Sequence, residues 1–286
     1  MRTTVLVLGF SALCVLVVFG VGCPNTQADR SPDVVRYLEV LLAQNHLPHD
    51  ALMPNDVQRK HIQMKRFAGG FAIGWRAPET GDAAPEGMGA QTLLFYEDGQ
   101  FMCEPYDYTL GDVTADGTPD VVTLELCGML QGIGSGTIVC MVYPMDSRHR
   151  PSRFIGTVPV DAAYLRDSVA DVTGDGVPEV IIIQQEPDIQ PQSAACGEDI
   201  PGYLGVWSVK HGLPRLLLAV KAYPYEVLEP GKMGGLYGIR VWTEAGKATG
   251  KPEWATITWN QRAQKFDVSD ARNKGIRVLQ NIAMLD

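Results

Sequence analysis

The chain has 286 residues, a formal net charge of −9 at pH 7 and a hydrophobic fraction of 45%. Nucleic acids and anionic lipid surfaces require a basic face, so an acidic chain argues against both ligand classes. The negative charge suits bound divalent cations, and 30 glycines with 19 prolines are typical of a turn-rich β protein.

Residues 1–22 are predicted to be a secretion signal, which is set aside before the fold is considered. Arg2 supplies a short basic region, and residues 4–21 are apolar and uncharged. A glycine and then Cys23 follow, which resembles a bacterial lipobox, although Gly20 stands where most lipoboxes have leucine. We therefore expect an exported protein that is anchored to the cell-envelope membrane, on its periplasmic or cell-surface side, through lipid on Cys23. The alternatives are an ordinary signal peptide and an uncleaved anchor helix.

The segment 23–60 is predicted to contain a polar tether and one short helix. Apolar residues form a broad face over residues 33–45, Ser31 is placed to cap the start, and the pattern stops before Pro48. We expect this helix to pack on the core, because its polar face is not basic.

Short strand patterns separated by turn residues fill the rest of the chain, residues 61–286. The tetrapeptide YEDG at 96–99 predicts a hairpin turn centred on Asp98 and Gly99. No long helical period appears after residue 50. The pattern therefore predicts an antiparallel all-β domain.

An internal repeat stands out in this region. Residues 112–124 read DVTADGTPDVVTL, and residues 171–183, which begin 59 positions later, read DVTGDGVPEVIII. Seven of the first ten positions are identical, the ninth is acidic in both copies, and β-branched residues follow each copy. A period of this length is compatible with one propeller blade.

The residue types in both copies suit calcium, which prefers about six to eight oxygen ligands at about 2.3–2.6 Å. Positions 1, 5 and 9 supply carboxylates, position 3 a hydroxyl and position 7 a backbone carbonyl, while glycine at position 6 permits a sharp turn. The candidate ligands are Asp112, Thr114, Asp116, Thr118 and Asp120 in the first copy, and Asp171, Thr173, Asp175, Val177 and Glu179 in the second. The alternative is an Asx-type turn that uses hydrogen bonds alone, without metal.

An EF-hand begins similarly, but its twelfth residue is a glutamate and helices flank it. Here the twelfth residues are Thr123 and Ile182, and strands are predicted to follow. The copies instead resemble the FG-GAP/VCBS repeat of integrin-α-type β-propellers and many secreted bacterial proteins, whose loop reads D-x-[DN]-x-D-G-x-x-D before an apolar strand. Two departures from that loop are threonine at position 3 and the longer Glu179.

The FG-GAP/VCBS resemblance implies antiparallel, blade-like repeats, with structural calcium bound by the candidate ligands near 112–122 and 171–181. About 220 residues at nearly 60 per repeat allow about three to four blades, too few for a seven-bladed ring. An incomplete propeller, a small irregular β domain and part of an oligomer all fit this length. A degenerate third copy is predicted at 245–257, where Gly250, Pro252 and Glu253 match the second copy and the aspartates are lost.

Four cysteines besides Cys23 are expected in the mature chain: Cys103, Cys127, Cys140 and Cys196. In an oxidising compartment an even number suggests disulfides, and four cysteines allow three pairings. Cys127 and Cys196 each follow one copy of the repeat by a similar stretch, which favours a Cys127–Cys196 bridge. Free buried thiols are the alternative, and no cysteine–histidine spacing suggests zinc.

No catalytic motif is recognisable in the sequence. GIGSG at 132–136 matches neither a nucleophile elbow nor a phosphate-binding loop. We expect a non-catalytic β-repeat protein of the cell envelope that binds a protein or glycan partner or serves in assembly, and Trp207 and Trp242 are candidate glycan contacts. The alternatives are a polysaccharide-acting enzyme or accessory domain, and a metal-free structural lipoprotein.

Overall fold

The structure is a computed structural model. It describes residues 33–75, 91–127, 137–145, 153–158, 168–185, 202–221, 225–228, 230, 234–243 and 253–284. The predicted signal at 1–22, Cys23 and Cys196 lie outside these ranges. No helix within them is both long enough and apolar enough to cross a membrane.

The predicted N-terminal helix is confirmed as α1 (Asp33–Gln44), and a short α2 (His49–Leu52) follows it. The side chains of Leu38, Leu41 and Leu42 are fully buried, because their spacing places them on one face of the helix. The third helix that the structure describes, α3 (Ser269–Asn273), lies near the C-terminus.

The described strands form four antiparallel sheets. Sheet 1 contains β1 (Gln63–Phe67), β2 (Gly70–Trp75), β3 (Gln91–Tyr96) and β4 (Phe101–Cys103). Sheet 2 contains β5 (Pro105–Gly111), β6 (Asp120–Cys127), β7 (Thr137–Tyr143) and β8 (Arg153–Val158). Sheet 3 contains β9 (Val169–Ala170), β10 (Glu179–Gln185), β11 (Gly202–Ser208), β12 (Arg215–Lys221) and β17 (Arg277–Asn281). Sheet 4 contains β13 (Tyr225–Val227), β14 (Gly238–Trp242), β15 (Trp254–Asn260) and β16 (Lys265–Asp267).

Each sheet is a meander whose strands pair in chain order, and the C-terminal β17 adds to sheet 3 beside β12. The hairpin predicted at YEDG is confirmed between β3 and β4, where Gly99 N–H donates to Tyr96 O at 2.9 Å. The antiparallel all-β prediction is therefore confirmed at the level of the sheets.

The four sheets pack face to face in chain order, with α1 covering the outer face of sheet 1. Shared hydrophobic clusters join sheet 1 to sheet 2, sheet 2 to sheet 3 and sheet 3 to sheet 4. No hydrophobic cluster in the described ranges joins sheet 1 to sheet 4, and no closed barrel or propeller is detected there.

This stack explains the apolar runs that follow the two acidic turns. Side chains alternate between the faces of a strand, so Val121 packs toward sheet 1 and Val122 toward sheet 3. In β10, Val180 packs toward sheet 2 and Ile181 toward sheet 4. Both faces of these strands are buried, so apolar residues are not restricted to alternate positions.

The predicted third copy lies mostly outside the described ranges, at residues 245–252. Glu253 immediately precedes β15, the third strand of sheet 4. The two complete copies each lead into the second strand of a sheet, so the third segment occupies a different place in its sheet.

Candidate functional site: two acidic loops

Two acidic loops make the same strand connection in neighbouring sheets. Loop 1 (residues 112–120) joins β5 to β6, and loop 2 (residues 171–179) joins β9 to β10. The sheets are in close contact where these loops begin, since a Cβ on Gly111 would lie 2.6 Å from Val169 Cγ1. In each of the two sheets, the repeated sequence therefore connects the first strand to the second.

The valine at the second position of each loop is a core residue. Val113 is fully buried in the cluster between sheets 2 and 3, and Val172 is fully buried in the cluster between sheets 3 and 4. Burying one such side chain stabilises the fold by about 1.5–3 kcal/mol. The sequence analysis missed this role, although identical valines after the first aspartate of each copy were a signal for it.

In loop 1, the carboxylate of Asp112 closes the turn by binding backbone amides four and five positions later. Its Oδ1 and Oδ2 accept hydrogen bonds from the backbone N–H groups of Asp116 (3.0 Å) and Gly117 (2.9 Å). Asp116 Oδ1 accepts another from the N–H of Thr118 at 2.7 Å. Ala115 and Gly117 take left-handed φ values of 63° and 87°, and for alanine this conformation is strained.

Asp120, the ninth residue of loop 1, is a fully buried carboxylate at the start of β6. Its Oδ2 accepts a hydrogen bond from Thr114 N–H at 2.9 Å. The Thr114 hydroxyl and the Met145 amide lie close enough to favour the ionised carboxylate, yet Asp120 Oδ1 and Thr114 Oγ1 have no hydrogen-bond partner within the described ranges. Burial is the larger influence and raises the pKa of Asp120 to about 6. Loop 1 thus contains two buried oxygen atoms with unused bonding capacity.

In loop 2, Asp171 closes the matching turn. Its Oδ1 accepts hydrogen bonds from the N–H groups of Thr173 (3.2 Å) and Gly174 (2.6 Å), and its Oδ2 accepts one from Gly176 (3.0 Å). Gly174 and Gly176 have φ values of 75° and 86°. Glycine takes this conformation without the strain that Ala115 bears in loop 1.

Glu179 binds across loop 2 with both of its carboxylate oxygens. Its Oε2 accepts a hydrogen bond from Val172 N–H at 3.0 Å, and its Oε1 accepts one from the Thr173 hydroxyl at 3.1 Å. Burial raises the pKa of Glu179 to about 8, and the nearby negative charges of Asp175 and Asp171 act in the same direction. The threonine hydroxyl and both carboxylate oxygens thus have partners here, unlike those of loop 1.

Asp175 is held by one amide and one ammonium group. Its Oδ1 accepts a hydrogen bond from Val177 N–H at 2.9 Å, and its Oδ2 accepts one from Lys210 Nζ at 3.3 Å. Lys210 begins the 3₁₀ turn Lys210–Gly212 after β11, and the side chains of the pair are 30% and 27% exposed. Loop 2 therefore receives a cation from its own sheet.

Sheet 4 also contacts loop 2. Gln261 Nε2 donates a hydrogen bond to Thr173 O at 2.7 Å. A Cβ on Gly174 would lie 2.7 Å from the ring of Tyr237, so the fourth position of loop 2 has room only for glycine. Gln261 and Thr173 are 88 positions apart in the sequence, so no local sequence pattern predicts their contact.

The described residues contain no group of three or more His, Cys, Asp or Glu side chains arranged to hold a metal ion. The loop carboxylates bind backbone amides, but an oxygen that accepts one hydrogen bond keeps a further lone pair for a cation. Loop 1 fits a calcium ion better than loop 2, because Asp120 Oδ1 and Thr114 Oγ1 are buried oxygens without partners. The predicted carbonyl ligands at Thr118 and Val177 stay predictions.

Two of the cysteines are buried free thiols, Cys103 in β4 and Cys140 in β7. Burial raises the pKa of both thiols well above the usual range, and the negative charge of Glu125 adds to this, so both are unreactive. Cys127 ends β6, and its predicted partner Cys196 lies outside the described ranges, so this disulfide stays a prediction.

The two tryptophans considered for glycan contact differ in their surroundings. Trp207 is partly buried, and its Nε1 donates to Gln184 Oε1 at 2.6 Å within sheet 3. Trp242 is half-buried on the outer face of sheet 4 and stacks on Trp254 with the ring centroids 6.2 Å apart. The Arg240 guanidinium lies 4.7 Å from the centroid of Trp254. Of the two, Trp242 is the one on an outer sheet face.

No protein-family model, curated protein or solved structure matches this chain. The resemblance to the FG-GAP/VCBS repeat therefore rests on the sequence of the two loops.

Proposed function

We propose that this protein is an exported, lipid-anchored and non-catalytic β-repeat module of the cell envelope that binds a glycan or protein partner. In this proposal the four sheets are blades of the FG-GAP/VCBS type, arranged as an incomplete propeller. One observation carries it: two sheets that are adjacent in the stack begin with nearly the same acidic loop between their first and second strands. A repeated β unit with a repeated loop is the architecture of blade-type binding proteins.

The proposal includes a structural calcium ion in loop 1. Asp112, Asp116 and Asp120 would hold it, with the Thr114 hydroxyl and the Thr118 carbonyl as neutral ligands. Such an ion would neutralise carboxylates that repel one another and would occupy the unused oxygens at the start of β6. Its effect is stability: it adds free energy of unfolding by mass action once free calcium exceeds the dissociation constant.

Thermal melts of the full-length chain, expressed with its own leader and purified in mild detergent, test this ion. We expect a higher melting temperature in calcium than in EDTA, by about 5–8 °C for a 100- to 1,000-fold excess over the dissociation constant. Asp112→Asn should abolish this difference, whereas Asp56→Asn, an exposed aspartate outside the loops, should preserve it. Equal melting temperatures in calcium and EDTA would remove calcium from the proposal.

Metabolic labelling with radioactive palmitate tests the anchor. The wild-type chain should carry the label and stay in the membrane fraction, and Cys23→Ser should carry none and become soluble after export. Label on the Cys23→Ser chain, or an unlabelled wild type, would contradict a lipid anchor at Cys23.

Co-sedimentation with purified cell-wall polysaccharide tests the non-catalytic binding role. A binding module sediments with the polysaccharide and releases no new reducing ends from it. Trp242→Ala should weaken the binding if the outer face of sheet 4 contacts the glycan, and Trp207→Phe is the matched internal substitution. Release of reducing ends by the wild-type chain would favour the enzyme alternative instead.

A further inference from the structure

We infer that Lys210 is the resident cation of loop 2, so that loop 2 is closed without metal and only loop 1 is open to a divalent ion. The statement about loop 2 stands on its own contacts, and the statement about loop 1 rests on the proposed function. The resemblance to a calcium repeat implies two equivalent metal loops, and the side chains of loop 2 do not fit that expectation.

The first step is a full account of the carboxylate oxygens of loop 2. Both oxygens of Asp171, both of Asp175 and both of Glu179 accept a hydrogen bond. The Thr173 hydroxyl, at the position of a predicted metal ligand, donates a hydrogen bond to Glu179. These oxygens keep further lone pairs, as those of Asp112 do, but no buried side-chain oxygen of loop 2 is without a hydrogen-bond partner, so none of them requires a metal ion.

The second step is the charge. Lys210 Nζ lies 3.3 Å from Asp175 Oδ2, and about 70% of the surface of each side chain is shielded. A calcium ion bound at Asp175 would either displace this ammonium or lie beside it. Like charges at such short range repel strongly where water is partly excluded, so the ammonium disfavours a second cation in the loop.

The third step is a comparison of equivalent positions in the two sheets. Lys210 is the second residue after the end of β11, the third strand of sheet 3 in chain order, and Met145 is the second residue after the end of β7, the third strand of sheet 2. Met145 is buried in the core between sheets 1 and 2 and carries no charge. Sheet 2 thus has a methionine where sheet 3 has the lysine that neutralises its loop.

The fourth step is the ninth position. Asp120 Oδ2 accepts a hydrogen bond from Thr114 N–H, and the Thr114 hydroxyl and the Met145 amide lie nearby, but Asp120 Oδ1 has no hydrogen-bond partner within the described ranges. Glu179 is one methylene longer and reaches both Val172 N–H and the Thr173 hydroxyl. Both differences between the loops act in the same direction, because Glu179 accepts the hydrogen bond of the Thr173 hydroxyl and Lys210 neutralises Asp175.

The test is the substitution Lys210→Met, which gives sheet 3 the residue of sheet 2, with Lys265→Met, an exposed lysine of β16, as the matched control. The full-length chain in mild detergent is titrated with calcium chloride in a calorimeter and melted in EDTA and in calcium. We expect Lys210→Met to melt about 1–3 °C below wild type in EDTA, as for loss of a partly shielded ion pair. We also expect it to bind one more calcium ion than wild type, and Lys210→Met combined with Asp171→Asn to lose that extra ion.

Two results would overturn the inference about loop 2. One is a wild-type chain whose bound calcium falls by one ion on Asp171→Asn, because loop 2 would then already be a metal site. The other is a Lys210→Met chain that melts in EDTA like wild type and gains no calcium. If no calcium binding by the wild-type chain depends on Asp112, loop 1 is removed from the proposed function. The melting temperature and the calcium binding of Lys210→Met still decide the role of the lysine.

Discussion

Loop 1 and loop 2 share six of nine residues, yet they satisfy their carboxylates in different ways. Loop 2 uses the longer Glu179, the Thr173 hydroxyl and the ammonium of Lys210, and it receives Gln261 from sheet 4. Loop 1 has the shorter Asp120, whose Oδ1 has no partner in the described part of the chain. A repeated motif therefore fixes the shape of a turn, whereas the neighbouring sheet determines how its charge is balanced.

The fourth position gives the largest expected difference between the loops. Gly174→Ala should destabilise the protein by about 2–4 kcal/mol, since a Cβ there combines a left-handed φ with overlap of the Tyr237 ring. The reverse change in loop 1, Ala115→Gly, should stabilise it by up to about 1 kcal/mol, because it relieves the strain of alanine at φ 63°. Chemical denaturation in EDTA measures both. If Gly174→Ala costs no more free energy of unfolding than Ala115→Gly gains, the Tyr237 ring of sheet 4 does not restrict the fourth position of loop 2.

The residue at the ninth position gives each loop a different pH dependence of the free energy of unfolding. Burial raises the folded pKa in both cases, to about 8 for Glu179 and about 6 for Asp120, above the ordinary values of 4.5 and 3.8. Folding therefore favours the protonated form, and stability is full below the unfolded pKa and falls as the pH rises toward the folded value. In EDTA, Glu179 should account for a loss of about 2 kcal/mol between pH 6 and 8, and Asp120 for a similar loss between pH 4 and 6.

Unfolding free energies measured across pH check this separation. Glu179→Gln should flatten the slope over the whole range from about pH 4.5 to 8, whereas Asp120→Asn should flatten it only between about pH 4 and 6 and leave the slope between pH 6 and 8 nearly unchanged. A Glu179→Gln chain that keeps the wild-type slope between pH 6 and 8 would mean that the folded glutamate titrates near its ordinary value.

The contact from sheet 4 has a smaller effect. Gln261→Ala removes the hydrogen bond to Thr173 O and should lower the free energy of unfolding by about 1 kcal/mol. Gln58→Ala, which removes a hydrogen bond between exposed groups at the 3₁₀ turn after α2, is the matched control. If loop 2 is fastened through Gln261, amide hydrogen exchange at Gly174 and Gly176 should accelerate in Gln261→Ala and not in the control.

Much of the architecture could be read from the sequence, because it depends on local pattern. The helix at 33–45, the YEDG hairpin and the strands all follow from periodicity and turn residues, and α1 is confirmed to within one residue of its predicted end. The order of the sheets in the stack could not be read this way. Alternation of Val121 and Val122 between two cores becomes visible only when both neighbouring sheets are in place.

The candidate site also contains residues that the local sequence predicts and residues that it does not. Residue types alone pick out Asp112 and Asp171, and in the structure both aspartates accept hydrogen bonds from backbone amides of their own loops, while their role as calcium ligands stays a prediction. Lys210 was not predicted, because 35 residues separate it from Asp175 and the pairing of β10 with β11 brings them together. The hydrogen bond between Glu179 and the Thr173 hydroxyl depends on the additional methylene of glutamate and on the buried position of the side chain. The sequence motif does not specify this geometry.

The ion pair of loop 2 gives the smallest expected difference and the most direct check on charge balance. Asp175→Asn removes the attraction to Lys210 and should cost about 0.5–1 kcal/mol, because the pair is only partly shielded. Asp116→Asn, at the same position of loop 1, should change stability in EDTA by less, since no described cation is paired with Asp116. Raising the salt concentration from 0.05 to 0.5 M should reduce the effect of Asp175→Asn, because the Debye length falls from about 14 to about 4 Å. An effect of Asp175→Asn that does not depend on salt would assign it to the Val177 amide contact rather than to the lysine.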